Sequence, residues 1–112
     1  MESDRLENIE ITPAEVKAKL ARGEKLTFVD VREKWEYDTS RIEGSTLIPL
    51  RSIPASLPSL QAAGEIVFFC HHGMRSLDAA AWLRSQGMEA ARSMSGGIDR
   101  WSLEIDPQVP RY

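Results

Sequence analysis

The stretch Ile66-Val67-Phe68-Phe69-Cys70-His71-His72-Gly73-Met74-Arg75-Ser76 passes from an unbroken apolar run, through a short polar loop, towards a helix-forming segment. Its first five residues are β-branched or aromatic apart from the closing cysteine, the pattern of a strand buried on both faces. Ser76 to Gln86 is rich in Ala and Leu and stops at Gly87, which predicts a helix beginning about five residues after Cys70. Strand, loop and helix in that order place Cys70 at a strand's carboxyl end. In open parallel α/β sheets the reactive crevice lies there.

Moving towards the N-terminus, Thr46 to Ile48 predicts a short strand stopped by Pro49. Ile42 to Ser45 predicts a turn, and Ile53 to Leu60 a helix interrupted by Pro54 and Pro58. Leu26 to Val31 is a second apolar, β-rich run, followed by a short helix around Trp35 to Tyr37. Thr12-Pro13-Ala14-Glu15 is a capping box with proline in the first helical position. Ile11 and Val16 are spaced as a hydrophobic staple, Val16 and Leu20 as a buried stripe, and Gly23 as the stop. Ile9 to Ile11 is a short extended segment before this helix. Towards the C-terminus, Ala90 to Met94 predicts a strand, Gly97 to Leu103 a helix, and residues from about 104 to 112 an extended tail. Strands alternating with helices predict an α/β domain with a mostly parallel sheet. The 112 residues suit a single domain, 1–112, with one hydrophobic core.

Composition narrows the function. A net charge of −3 argues against nucleic acid or an anionic membrane as a partner recognised by bulk charge. The N-terminal Met1 to Arg5 is charged and unlike a secretory signal, and no apolar run approaches membrane-spanning length. The single cysteine cannot close an internal disulfide, which fits a reducing, cytoplasmic setting.

A lone cysteine is by type more often a buried hydrophobe than a nucleophile. The surroundings of Cys70 favour the nucleophile. The loop His71 to Arg75 can curl around the sulfur so that backbone N–H groups point inward, and the following helix adds positive potential at its N-terminus. Gly73 permits the tight curl. Arg75, and any protonated histidine, would further favour a thiolate. Arg75 also lies where a cation opposes the helix dipole, which suggests an anion bound nearby. Adjacent His71 and His72 are poorly spaced to hold one metal, and no Cys-x-x-Cys or His-x-x-x-His accompanies them, so no metal is expected. Their backbone serves the loop, while the side chains shape its mouth or face water. Asp30 and Arg32 suggest a structural ion pair or loop clamp. Met74, Trp82 and Trp101 suggest packing groups, with Met74 also able to line the pocket.

Four segments resemble the rhodanese homology domain, in the family's order. They are Phe28 to Glu33, Glu36 to Leu50, Cys70 to Ser76, and Ser95-Gly96-Gly97-Ile98-Asp99-Arg100-Trp101. Where the family often reads Gly-His-Ile, this chain has Ser40-Arg41-Ile42, a position remote in sequence from the chemistry. The resemblance implies a sheet of about five strands with helices on both faces. It implies Cys70 as the catalytic nucleophile, with His71, His72, Gly73, Met74 and Arg75 binding the transferred sulfur and the donor's anionic end. No cofactor is implied. The implied reaction moves sulfane sulfur from thiosulfate or a similar small anionic donor, through a Cys70 persulfide, to a thiol or cyanide. The ending Asp106 to Tyr112 resembles rhodanese-like domains appended to enzymes that load sulfur-carrier proteins, which implies a sulfur-carrier protein as an alternative acceptor. Two other functions compete. Some cysteine phosphatases share the fold with a Cys-x5-Arg loop, but Cys70 to Arg75 is one residue shorter and would crowd a phosphoryl group. Non-catalytic binding modules also share it but commonly lack the cysteine.

Overall fold

In the computed structural model, which describes residues 8–112, helices alternate with five strands. The charged Met1 to Arg5 segment lies outside the described residues. In chain order the elements are β1 (Glu10–Ile11), α1 (Pro13–Ala21), β2 (Thr27–Asp30), α2 (Lys34–Thr39) and β3 (Thr46–Leu47). After two 3-10 turns, Leu50–Ser52 and Pro54–Ser56, come α3 (Leu57–Gln61), β4 (Ile66–Phe69), α4 (Met74–Ser85), β5 (Ala91–Met94) and α5 (Gly97–Glu104). The strands are all parallel in the order β1-β5-β4-β2-β3. β4 is thus the middle strand, which accounts for its lack of polar residues: both of its faces are covered.

Alternation along β4 divides the interior in two. Ile66, Phe68 and Cys70 share one core with Ala79, Ala80 and Leu83 of α4 and Leu60 of α3. Val67 and Phe69 share the other with Val16 of α1 and Ile98 and Trp101 of α5. Helices therefore cover both faces, and the cysteine's side is fixed by the same two-residue period that buries Ile66 and Phe68.

The local signals of α1 are present as expected. Thr12 Oγ1 accepts from the Glu15 N–H at 3.1 Å, and the Glu15 carboxylate accepts from the Thr12 N–H at 3.0 Å. Ile11 and Val16 are both buried in one core. Leu20, expected on the buried stripe, is exposed instead; β1 is a two-residue edge strand and needs cover from a single turn of helix. The interrupted helix expected over Ile53 to Leu60 consists of the second 3-10 turn and α3. Pro54 and Pro58 stand in their opening positions, where a missing N–H costs nothing. The tail is irregular beyond Glu104 and folds back, burying Val109 against the second core.

Candidate active site

Cys70 is only 1% exposed. Its Sγ accepts hydrogen bonds from the Gly73 N–H at 3.1 Å and the Ser76 N–H at 3.4 Å, and the Ser76 hydroxyl lies 3.5 Å away. That hydroxyl is 2.7 Å from Ser93 Oγ, and both serines are buried. Gly73 makes this possible: its φ of +108° turns the chain into α4, which starts at Met74, two residues earlier than the sequence predicts. A side chain at Gly73 would be strained by that φ, and its Cβ would press on the Gly96 nitrogen at 3.3 Å. Two inward N–H groups and the N-terminus of a twelve-residue helix form a cradle suited to negative charge on the sulfur.

The Gly96-Gly97 turn supports this loop from behind. α5 begins there and donates to the loop's carbonyls, Ile98 N–H to Cys70 O at 2.9 Å and Asp99 N–H to His71 O at 3.2 Å. The approach is so close that a Cβ on Gly97 would collide with both carbonyl oxygens.

At the loop's far end the Arg75 guanidinium grips Glu36 with two hydrogen bonds, 2.6 and 2.9 Å. Glu36 lies on α2 and is 3% exposed. Burial by itself would raise its carboxyl, but hydrogen bonds from Arg75, the Glu33 N–H and Tyr112 outweigh that and hold it down at about 2. The same pairing pushes Arg75 up, so its charge is permanent. The Tyr112 hydroxyl donates to Glu36 Oε2 at 2.7 Å and accepts from Arg32 Nη1 at 2.8 Å. Burial pushes this phenol up to about 12 despite Arg32 beside it. Arg32, fully buried, forks onto both oxygens of Asp30 at 2.9 and 2.7 Å and donates to the Ser40 carbonyl at 2.6 Å. Asp30 and Arg32 are thus the ion pair and clamp expected of them.

The histidine rings form a stack with the tail. Tyr112 lies face to face with His71 at 4.0 Å and 7°, and His71 lies against His72 at 3.9 Å. Burial and the neighbouring His72 lower the His71 pKa below the ordinary imidazole value, against an opposing hydrogen bond with the Tyr112 backbone. Both effects favour the neutral imidazole beside the thiol. His72 is exposed, 4.0 Å from Asp99. His71, His72 and Asp99 have ligand atoms within 4.8 Å of one another. The two imidazoles, stacked at 25°, turn faces rather than nitrogen lone pairs towards each other, however, and Asp99 is already paired with Arg111 at 2.8 Å. That geometry is poor for a tetrahedral ion. Met74 is 76% exposed at the rim and packs no core, because α4 begins one residue after the turn and directs its first side chain outward. Trp101 is buried, and Trp82 is half-buried beside a groove with Leu50 and Ile53.

The loop expected from sequence thus surrounds the sulfur through Gly73 and Ser76, with His71, His72 and Met74 at its mouth and the Arg75 fork turned to Glu36. Glu36, Ser93 and Tyr112 join the site without being marked in the sequence as site residues. Glu33-x-x-Glu36 carries a capping-box spacing that places Glu36 in the first turn of a helix, while nothing local marks Ser93 or Tyr112.

A sequence model of the rhodanese-like domain family matches residues 12–104, and the chain belongs to that family. The putative sulfurtransferase YtwF of Bacillus subtilis is 33% identical over 99 residues, covering 88% of this chain and 95% of its own length. The probable adenylyltransferase/sulfurtransferase MoeZ of Mycobacterium tuberculosis is 35% identical over 104 residues, which cover 91% of this chain and 26% of MoeZ. The chain therefore spans about a quarter of that relative. The crystal structure of a rhodanese-like domain protein from Staphylococcus aureus superposes with a TM-score of 0.78 at 29% identity, covering 92% of this chain and 97% of that one.

Proposed function

We propose that this chain is a sulfurtransferase that carries sulfane sulfur on Cys70 between an anionic donor such as thiosulfate and a thiol, cyanide or protein acceptor. The thiolate attacks the donor's outer sulfur, and the donor's S–S bond breaks. Sulfite leaves with the bonding pair, and Cys70 holds the outer sulfur as a persulfide. An acceptor nucleophile then attacks that sulfur, and the Cys70 thiolate departs with the electrons of the bond broken. Dividing the transfer into two displacements gives ping-pong kinetics and needs no metal or cofactor.

The observation that carries this reading is the pair of backbone N–H groups already directed at Sγ inside so short a loop. Such a cradle suits one sulfur atom better than a phosphoryl group with three equatorial oxygens. Because the Arg75 fork is occupied by Glu36, we assign to Arg75 the supply of positive potential beside the donor. The N–H groups from Gly73 onward meet the donor's anionic end, and His71, His72 and Met74 line the approach. A protein acceptor gains support from MoeZ, whose name joins sulfurtransferase to adenylyltransferase. A free thiol with this task fits a reducing compartment such as the cytoplasm. Among the described residues no helix is long and apolar enough to cross a membrane.

Intact-mass measurement after separate exposure to thiosulfate, mercaptopyruvate and an aryl phosphate tests the assignment. The expected result is a gain of one sulfur atom on Cys70 from a sulfur donor, reversed by thiol, with no turnover of the ester. Ester hydrolysis without sulfur loading would sink it.

A further inference from the structure

We propose that Tyr112 is a positioning residue for the sulfur transfer described above, on which this inference rests. Tyr112 holds both ends of the loop that cradles Cys70.

Besides the α5 N–H groups that hold the Cys70 and His71 carbonyls, two side-chain clamps fix the loop, and Tyr112 takes part in each. At the entrance its ring lies flat on His71, the residue after the nucleophile, at 4.0 Å. At the exit its hydroxyl donates to the same Glu36 carboxylate that grips Arg75. The hydroxyl also accepts from Arg32, so one phenol joins the buried Asp30–Arg32 pair to the Glu36–Arg75 pair. Gly73 and Ser76, whose N–H groups reach Sγ, lie between and just beyond these clamps. Loosening either clamp lets the donors drift from the sulfur. Hydrogen bonds to a charged acceptor weaken steeply with distance and angle, so a small drift costs much of the thiolate's stabilisation.

The tail is tied down independently of Tyr112. The Ser40 hydroxyl donates to the Pro110 carbonyl at 2.6 Å, Arg111 pairs with Asp99 at 2.8 Å, and Val109 is buried. Trp35 meets the Tyr112 ring edge-on at 6.0 Å. Ser40, at the position where the family motif often has glycine, thus helps to anchor the tail. These anchors make the side chain separable from the segment that carries it: Tyr112→Phe keeps the stack and removes the bridge, and Tyr112→Ala removes both.

The test is the pH–rate profile of Cys70 alkylation by iodoacetamide in the full chain, measured beside thermal stability and sulfur loading. Reactivity at fixed neutral pH should fall about threefold in Tyr112→Phe and about tenfold in Tyr112→Ala, with the profile displaced to higher pH. In the transfer reaction kcat should fall with little change in KM for a neutral thiol. An unmoved profile in both variants overturns the proposal, whether or not Tm falls; a fall in Tm alone would make Tyr112 a packing residue. Failure of the wild-type chain to load sulfur would instead sink the sulfurtransferase assignment, leaving the alkylation profiles to judge Tyr112 separately.

Discussion

Replacing Gly97 by alanine puts a methyl group where the backbone of the cysteine loop already lies. The new Cβ would stand 2.6 Å from the His71 carbonyl carbon and nearer still to the Cys70 and His71 carbonyl oxygens. Those atoms are backbone, held by the Ile98 and Asp99 N–H groups, and cannot rotate aside as a side chain would. Gly97 also sits at φ +61°, where any other L-residue costs about 1–2 kcal/mol. Overpacking adds about 1–3 kcal/mol, and loss of the two loop hydrogen bonds about 1 kcal/mol each. Gly87→Ala is the control: φ is +95°, but nothing lies within 4 Å of its Cβ, so it carries the conformational cost alone. The excess for Gly97→Ala is then about 3–5 kcal/mol, or a further drop in Tm of at least about 10 °C for a domain of this size. Urea and thermal denaturation of both variants give the difference, and Cys70 alkylation reports whether the cradle has moved. Equal stabilities for the two variants would refute the idea that this turn braces the catalytic loop.

Cys70→Ser should abolish sulfur loading while the far-ultraviolet spectrum and Tm stay close to wild type, because the hydroxyl fits the site but is a far weaker nucleophile near neutral pH; transfer activity in the folded variant would remove Cys70 from the mechanism. Arg75→Ala leaves the Glu36 carboxylate buried without its two-point partner, so a stability loss of about 3–5 kcal/mol is expected. The donor half-reaction should also slow, because the site loses a cation and keeps the Glu36 anion; Arg75→Lys should recover the charge but not the fork, and rapid mixing with donor followed by thiol separates the steps. Glu36 has a folded pKa of about 2 against an ordinary 4.5, so its contribution is complete above 4.5 and is lost progressively as pH falls from there through about 2. Acid denaturation followed by circular dichroism should show this limb flattened in Glu36→Gln by on the order of 3 kcal/mol.

The elements that the sequence alone determined are those whose cause is local or periodic. The unbroken Ile66 to Phe69 run made β4 a strand covered on both faces, and its two-residue alternation fixed the face on which Cys70 lies. The Thr12 to Glu15 box started α1, and Gly73 marked the turn into α4. The nucleophile and its loop are contiguous residues, so they were legible as a motif. The tertiary structure decided what comes from afar. Glu36, Ser93, Gly97 and Tyr112 reach the loop from α2, β5, the start of α5 and the tail. The Arg75 charge, legible as a cation near the sulfur, was assigned its partner only when α2 packed beside α4's first turn. Leu20 and Met74 carry the same lesson in reverse, since both are apolar by type and exposed by position. Burial and pairing depend on which surfaces meet in space, and a side chain 39 or 76 residues away leaves no periodic trace in the segment it touches.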